Sequence, residues 1–234
     1  MFSGIKLVVF DLDGTLVDAF ADIAAAVNYS LGKNFGAAPI STPEVMRYVG
    51  HGGRHLVQSL LLNGFGPAGT KPQDYTEADF DRAFADWRAY YLEHPADLAR
   101  PYDGVVEALQ ALHQRGIRQA VLSNKSDDLI KLIVQNLGLE PYLDWVQGEA
   151  VGQPRKPDPK LLWQVMERFG ASAGETLMVG DGVADMQVAA NAGVAAVGVT
   201  YGVSSADEIR NLGARVVLDS LAGLNDLIES GGCE

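Results

Sequence analysis

Leu7-Val8-Val9-Phe10 is an apolar run with no polar alternation, and no second strand candidate of any strength follows until Gln119. A strand that is apolar on both sides must be covered on both faces, the condition of a parallel sheet between layers of helices. Its partners therefore come from the second half of the chain, and what lies between is an insertion. The run stops at Asp11-Leu12-Asp13-Gly14-Thr15: two carboxylates, a glycine that permits a tight turn, and a hydroxyl. Open α/β sheets place their ligand sites just past the carboxyl ends of strands, where Asp11 and Asp13 fall. A strand followed by an Asp-rich turn is the plainer alternative.

Residues 16–98 read as helices separated by breaks at Gly36 and Pro39, a glycine-rich loop at 49–53 and a turn region at 63–75, with no strand candidate of any strength. Within them Phe80, Phe84, Trp87 and Tyr91 recur at steps of four, three and four, an aromatic stripe that reads as helix core. From residue 99 apolar runs alternate with helical patterns: Gln119–Leu122, Trp145–Gln147, Thr176–Val179, Ala195–Val199 and Arg215–Leu218. Strands alternating with helices of this length make βαβ units. The expected fold is α/β: a Rossmann-like core with a central parallel sheet flanked by helices, formed by residues 1–15 and 99–234, with an all-helical domain, 16–98, inserted after the first strand.

Of the 234 residues 47% are hydrophobic and 21% charged, enough for a full core and ordinary for a globular protein. A formal net charge of −12 argues against nucleic acid as a partner and requires local cations around any anionic substrate. The single cysteine, Cys233, permits no intrachain disulfide. Met1-Phe2-Ser3-Gly4 leads into the first strand without signal-peptide regions, and no apolar stretch approaches the ~18 residues of a membrane span. The expectation is a cytoplasmic monomer or homodimer, with no membrane partner.

Chemistry collects at the strand ends: Asp11 and Asp13 after the first, Ser123 and Asn124 after the second, Lys156 in the loop after the third, Asp181 and Asp185 after the fourth. Parallel strands bring all of these to one edge of the sheet. Two carboxylates about 4 Å apart repel by ~4 kcal/mol at an effective dielectric of 20, so Asp11, Asp13 and Asp181 need a cation to sit together ionised. An all-oxygen set suits magnesium better than zinc. Such a set fits a carboxylate nucleophile forming an acyl phosphate, with a second carboxylate moving protons. Asp11 and Asp13 fit those roles in that order.

Asp11-Leu12-Asp13-Gly14-Thr15, Ser123, Lys156, and Gly180-Asp181 with Asp185 resemble, in order, the four motifs of the haloacid dehalogenase superfamily, in its phosphatase branch. The resemblance implies Asp11 as nucleophile, Asp13 as general acid/base, and Ser123 and Lys156 as phosphate holders, joined by Gly14 and Asn124. It implies Mg2+ bound by Asp11, Asp181 and the main-chain carbonyl of Asp13, with Asp185 supporting the metal shell, and it makes the helical insertion a cap domain. Val49-Gly50-His51-Gly52, Arg100-Pro101-Tyr102, Ser123-Asn124-Lys125, Lys156-Pro157-Asp158-Pro159 and Val199-Thr200-Tyr201-Gly202 resemble bacterial phosphoglycolate phosphatases. The implied substrate is a small phosphorylated metabolite, 2-phosphoglycolate first. Sugar phosphatases, pyrophosphatases and a phosphosugar mutase of the β-phosphoglucomutase kind share several of these features, and a regulatory protein retaining the fold is the non-enzymatic alternative. Position 182 departs from the pattern, with Gly where Ser or Thr is usual.

Gly50 and Gly52 bracket a loop whose backbone N–H groups are expected to face substrate. Arg54 is a candidate for a substrate carboxylate, which its fork matches, or else a solvated residue. His51 and His55 are four apart, but glycines between them and the lack of a further ligand argue against a metal site. Lys125 either points at substrate or neutralises the acidic edge.

Overall fold

The computed structural model describes residues 1–63 and 75–228, in two compact units: Met1–Asp18 with Pro101–Glu234, and Ala19–Arg100. Cys233 lies outside the described residues.

The unit Ala19–Arg100 is helical. Helix α1 (Phe20–Phe35) buries Phe20, Ile23, Val27 and Leu31 along one face and ends where Gly36 turns left-handed. Helix α2 (Thr42–Met46) opens on a Ser41/Glu44 capping box, and α3 (Gly53–Asn63) follows the Gly50–Gly52 turn. Helix α4 (Glu77–Glu93) is capped by Thr76 and Asp79. Its aromatic stripe buries Phe80, Trp87 and Tyr91, with ring centroids stepping 6.2, 5.6 and 5.7 Å from Phe80 through Phe84 and Trp87 to Tyr91. The returning chain is tied down by the buried carboxylate of Asp22, which accepts the N–H groups of Leu98 and Ala99 at 2.8 to 3.1 Å.

The other unit is built on strand β1 (Leu7–Phe10), whose four side chains are fully buried. The two-residue strands β2 (Val17–Asp18) and β3 (Arg100–Pro101) lie where the chain enters and leaves the insertion. Next come α5 (Val105–Gln114), β4 (Arg118–Ser126), α6 (Asp127–Asn136), β5 (Trp145–Glu149), α7 (Lys160–Phe169) and β6 (Thr176–Gly180). Helix α8 (Val183–Ala192), β7 (Ala195–Val199), α9 (Ala206–Asn211), β8 (Val216–Leu218) and the single turn α10 (Leu224–Leu227) complete it. The sheet runs β5-β4-β1-β6-β7-β8, entirely parallel, and Phe10 is level with Val121 of β4 and Val179 of β6. That register puts the residues after Phe10 beside the ends of both neighbours. Sheet and helices share a core of Leu7, Val9, Leu122, Leu162, Met178 and Met186. Among the described residues no helix is long and apolar enough to cross a membrane.

One boundary differs from the sequence expectation. The run predicted to stop at Leu122 continues as strand to Ser126, so Ser123, Asn124 and Lys125 lie within β4 and are buried. The pairing with β5 breaks register there: Leu122 is opposite Gln147, while Ser126 is opposite Glu149. Polar residues can stay inside a strand here because their side chains find partners at the sheet edge.

Candidate active site

The site is set by the turn after β1. The Asp11 N–H donates to the Val179 carbonyl, and the Leu12 carbonyl then accepts the N–H groups of Thr15, Leu16 and Val17 within 3.2 Å. This tight turn leaves both aspartates at the sheet edge. Gly14 closes it with φ +81°, and a Cβ at this position would sit 2.2 Å from Asp181 Oδ2. Both its conformation and its lack of a side chain are needed.

Four carboxylates and two ammonium groups converge. The Asp11, Asp181 and Asp185 carboxylates each place an oxygen within 4.8 Å of the others. Lys156 Nζ, fully buried, lies 3.0 Å from Asp11 Oδ1 and 2.7 Å from Asp185 Oδ1. Lys125 Nζ lies 2.7 Å from Asp13, with both side chains about nine-tenths buried. Lys125 therefore neutralises the acidic edge, the second of the two roles its sequence position left open. Asn124 is bound to the same loop, its Oδ1 accepting the Lys156 N–H at 3.0 Å and its Nδ2 donating to the Lys156 carbonyl at 3.1 Å. Ser123 Oγ accepts the Lys125 N–H at 3.3 Å.

The environments of the carboxylates differ. Asp11 Oδ1 accepts the Leu12 N–H at 2.6 Å beside the Lys156 contact, while no hydrogen bond from the described residues engages Oδ2. Burial pushes the Asp13 carboxyl up, partly offset by Lys125. Burial also pushes Asp181 up, reinforced by the charges of Asp185 and Asp11. Asp185 is raised by burial as well, with Lys156 opposing. For Lys156 burial works against the charge, but Asp11 and Asp185 outweigh it and hold the ammonium above its ordinary range.

Asp181 and Asp185 are served by different donors. Asp181 Oδ1 accepts the Thr15 hydroxyl at 2.7 Å and Oδ2 the Val203 N–H at 2.8 Å, both neutral. Asp185 spends Oδ1 on Lys156 and Oδ2 on the Gly182 N–H at 3.0 Å. This backbone bond secures the loop with no side chain at 182, and a Cβ there would make only ordinary contacts. If every group is ionised, four carboxylates less two ammonium groups leave two negative charges. One hard divalent cation balances that, and the donors are all oxygen. The residues present fit such an ion.

The remaining candidates belong to the helical unit. Gly50 and Gly52 both adopt positive φ, +110° and +84°, in the turn before α3. Arg54 pairs with Asp81 at 3.0 Å and stacks over the Phe80 and Phe84 rings. His51 and His55 lie with ring centroids 5.0 Å apart, and the one metal-type cluster among the described residues does not include them. Sequence reasoning missed Val203, whose backbone holds Asp181. Its contribution is a backbone N–H, which leaves no signal in the sequence.

Comparison with known proteins establishes the family. Residues 5–193 match the family model of haloacid dehalogenase-like hydrolases. The chain is 37% identical to a phosphoglycolate phosphatase of Rhodospirillum rubrum, over 94% of this chain and 90% of that one. It is 32% identical to the phosphoglycolate phosphatase of Agrobacterium fabrum, over 93% and 90%. A crystal structure from Haemophilus somnus 129PT, described as a predicted phosphoglycolate phosphatase, superimposes with a TM-score of 0.88 at 29% identity, covering 96% of this chain and 98% of the other. This chain is an enzyme of the haloacid dehalogenase-like hydrolase family.

Proposed function

We propose that the enzyme hydrolyses a small phosphomonoester, 2-phosphoglycolate first among candidates, through a phosphorylated Asp11 and with Mg2+ as cofactor. One observation carries the reading: two carboxylates two residues apart are held by separate lysines, Asp11 by Lys156 and Asp13 by Lys125. Asp11 has one oxygen anchored and Oδ2 left for attack, whereas Asp13 is favoured by burial to hold a proton.

Asp11 Oδ2 attacks phosphorus, the ester P–O bond breaks, and the leaving alkoxide takes the Asp13 proton. Asp13, now a base, removes a proton from water. The resulting hydroxide attacks phosphorus and the bond to Asp11 breaks, releasing inorganic phosphate and restoring the Asp11 carboxylate. Lys156 stabilises charge throughout, and Ser123 is proposed to bind a phosphate oxygen. Asp11, Asp181 and the Asp13 carbonyl would hold the metal, with Asp185 in support because Lys156 already balances its charge. When bound, the ion offsets repulsion between the nucleophile and the phosphoryl oxygens. The helical unit is proposed as a cap that excludes bulk water. The substrate choice is supported by the names of the Rhodospirillum and Agrobacterium relatives.

The test is phosphate release from a panel of phosphomonoesters including 2-phosphoglycolate, with Mg2+, with chelator, and with Asp11→Asn. Release from 2-phosphoglycolate that chelator and mutation both abolish is expected. No release from any member, or equal release by Asp11→Asn, overturns the mechanism. Isomerised sugar phosphate without free phosphate identifies a mutase instead.

A further inference from the structure

The metal cluster draws support from a fifth strand end that none of the four catalytic motifs contains. After β7 the chain turns through Tyr201–Ser204 and wraps Asp181. The Val203 N–H donates to Asp181 Oδ2, and the Ser204 N–H donates to the Asp181 carbonyl at 3.2 Å. Gly202 passes so close that a Cβ there would lie 2.1 Å from Asp181 Oδ2. Tyr201 extends the clamp to the first loop: its hydroxyl donates to the Thr15 carbonyl at 2.9 Å, and Thr15 in turn donates its own hydroxyl to Asp181 Oδ1. The Tyr201 ring rests against Tyr102, centroids 4.4 Å apart, and the Tyr102 N–H donates to the Leu16 carbonyl. Both oxygens of Asp181 thus accept donors next to Tyr201: the hydroxyl of Thr15, whose carbonyl Tyr201 binds, and the N–H of Val203, two residues on in the same turn.

We propose that Tyr201 is a positioning residue for the divalent-cation site, acting through Thr15 and the Gly202-Val203 backbone to hold Asp181 in the orientation that binds metal. The inference rests on the proposed metal dependence. Tyr201 touches no reacting atom. A free Asp181 would swing to relieve its repulsion from Asp11 and Asp185, and the clamp prevents this before any ion arrives. Preorganisation of this kind shows in metal affinity, where outer hydrogen bonds are worth about 10- to 100-fold.

Tyr201→Phe keeps the ring against Tyr102 and removes only the bond to Thr15. Mg2+ and Mn2+ binding to the full chain is measured by calorimetry and, for Mn2+, by electron paramagnetic resonance, with no substrate present. Thermal unfolding of metal-free protein is followed in parallel. The expected result is affinity for both ions weakened about tenfold, with the metal-free unfolding temperature nearly unchanged. Thr15→Val, which removes the bond to Asp181 directly, should weaken affinity at least as much. Affinity within twofold of wild type in a folded Tyr201→Phe overturns the proposal. A loss of affinity that tracks a matching loss of metal-free stability also overturns it, because the tyrosine is then only structural. If wild type binds neither ion, the metal-dependent reading itself fails, an outcome distinct from either.

Discussion

The two units handle charge in opposite ways. Among the described residues of the helical unit, the pairs of Arg54 with Asp81, Lys33 with Asp86 and Arg82 with Asp79 all have cationic side chains more than half exposed. Such pairs contribute little, because solvent screens them and long side chains lose entropy when held. Its one buried carboxylate among the described residues, Asp22, is satisfied by backbone N–H groups and closes the ends of the unit together. At the edge of the parallel sheet, by contrast, Asp181, Asp185 and Lys156 are almost completely buried, and with every group ionised the carboxylates there outnumber the ammonium groups. Burying charge costs several kcal/mol per ion, so an uncompensated excess marks where folding energy has been given up for chemistry.

The largest effect should come from removing the buried cation at that edge. Lys156→Met leaves Asp11 and Asp185 buried together without their common partner. We expect stability to fall by about 3–5 kcal/mol in denaturant unfolding, and phosphate release to fall by at least ~1000-fold. A variant of normal stability would mean that the two carboxylates do not depend on Lys156, and the contrast between the units would collapse.

Next is the pH response of the metal-free protein. Folding raises the pKa of Asp181 above the ordinary 3.8, chiefly by burial. Its contribution is therefore fully present below that value and is lost as pH rises through the raised one. Between about pH 5 and pH 8 metal-free wild type should lose at least ~1 kcal/mol of stability that Asp181→Asn does not lose. Saturating Mg2+ should remove the slope, because the ion binds the ionised carboxylate. Parallel slopes for wild type and Asp181→Asn would show that Asp181 ionises freely in the fold.

Much of this edge was legible in the sequence because it rests on topology. An apolar run ending in Asp11 and Asp13, and others leading to Ser123 and Asp181, must bring those residues together if the strands are parallel. The β4 boundary was not legible, since Ser123-Asn124-Lys125 looks like the start of a loop until Asp13 and the Lys156 backbone are seen to satisfy it. Nor were the partners of Asp181. A backbone N–H carries no residue signature, so Val203 could not announce itself, and Tyr201 reaches Thr15 across 186 positions of sequence. Arg54 shows the opposite limit: a guanidinium suited to a carboxylate ligand has one within its own unit.

Asn124→Ala tests the middle of the range. It deletes the two hydrogen bonds that hold the Lys156 backbone while leaving every charge in place. The orphaned N–H and carbonyl should cost about 1–3 kcal/mol, and kcat should fall about tenfold as Lys156 loses its fixed position. An unchanged kcat would mean that the Asp11 and Asp185 contacts alone suffice to place the lysine.

Arg54→Ala should have the smallest effect, and it probes the other side of the comparison. The Arg54–Asp81 pair is more than half exposed at both ends, so its loss should cost under about 1 kcal/mol, with some of that from uncovering Phe80 and Phe84 rather than from charge. With the guanidinium already engaged, kcat and KM for the proposed substrate, 2-phosphoglycolate, should stay within about twofold of wild type. A KM raised tenfold or more, with kcat and unfolding unchanged, would show that Arg54 leaves Asp81 for the substrate's carboxylate. The helical unit would then hold a functional charge in water, exchangeable between two carboxylates, where the sheet edge holds its charges buried and fixed.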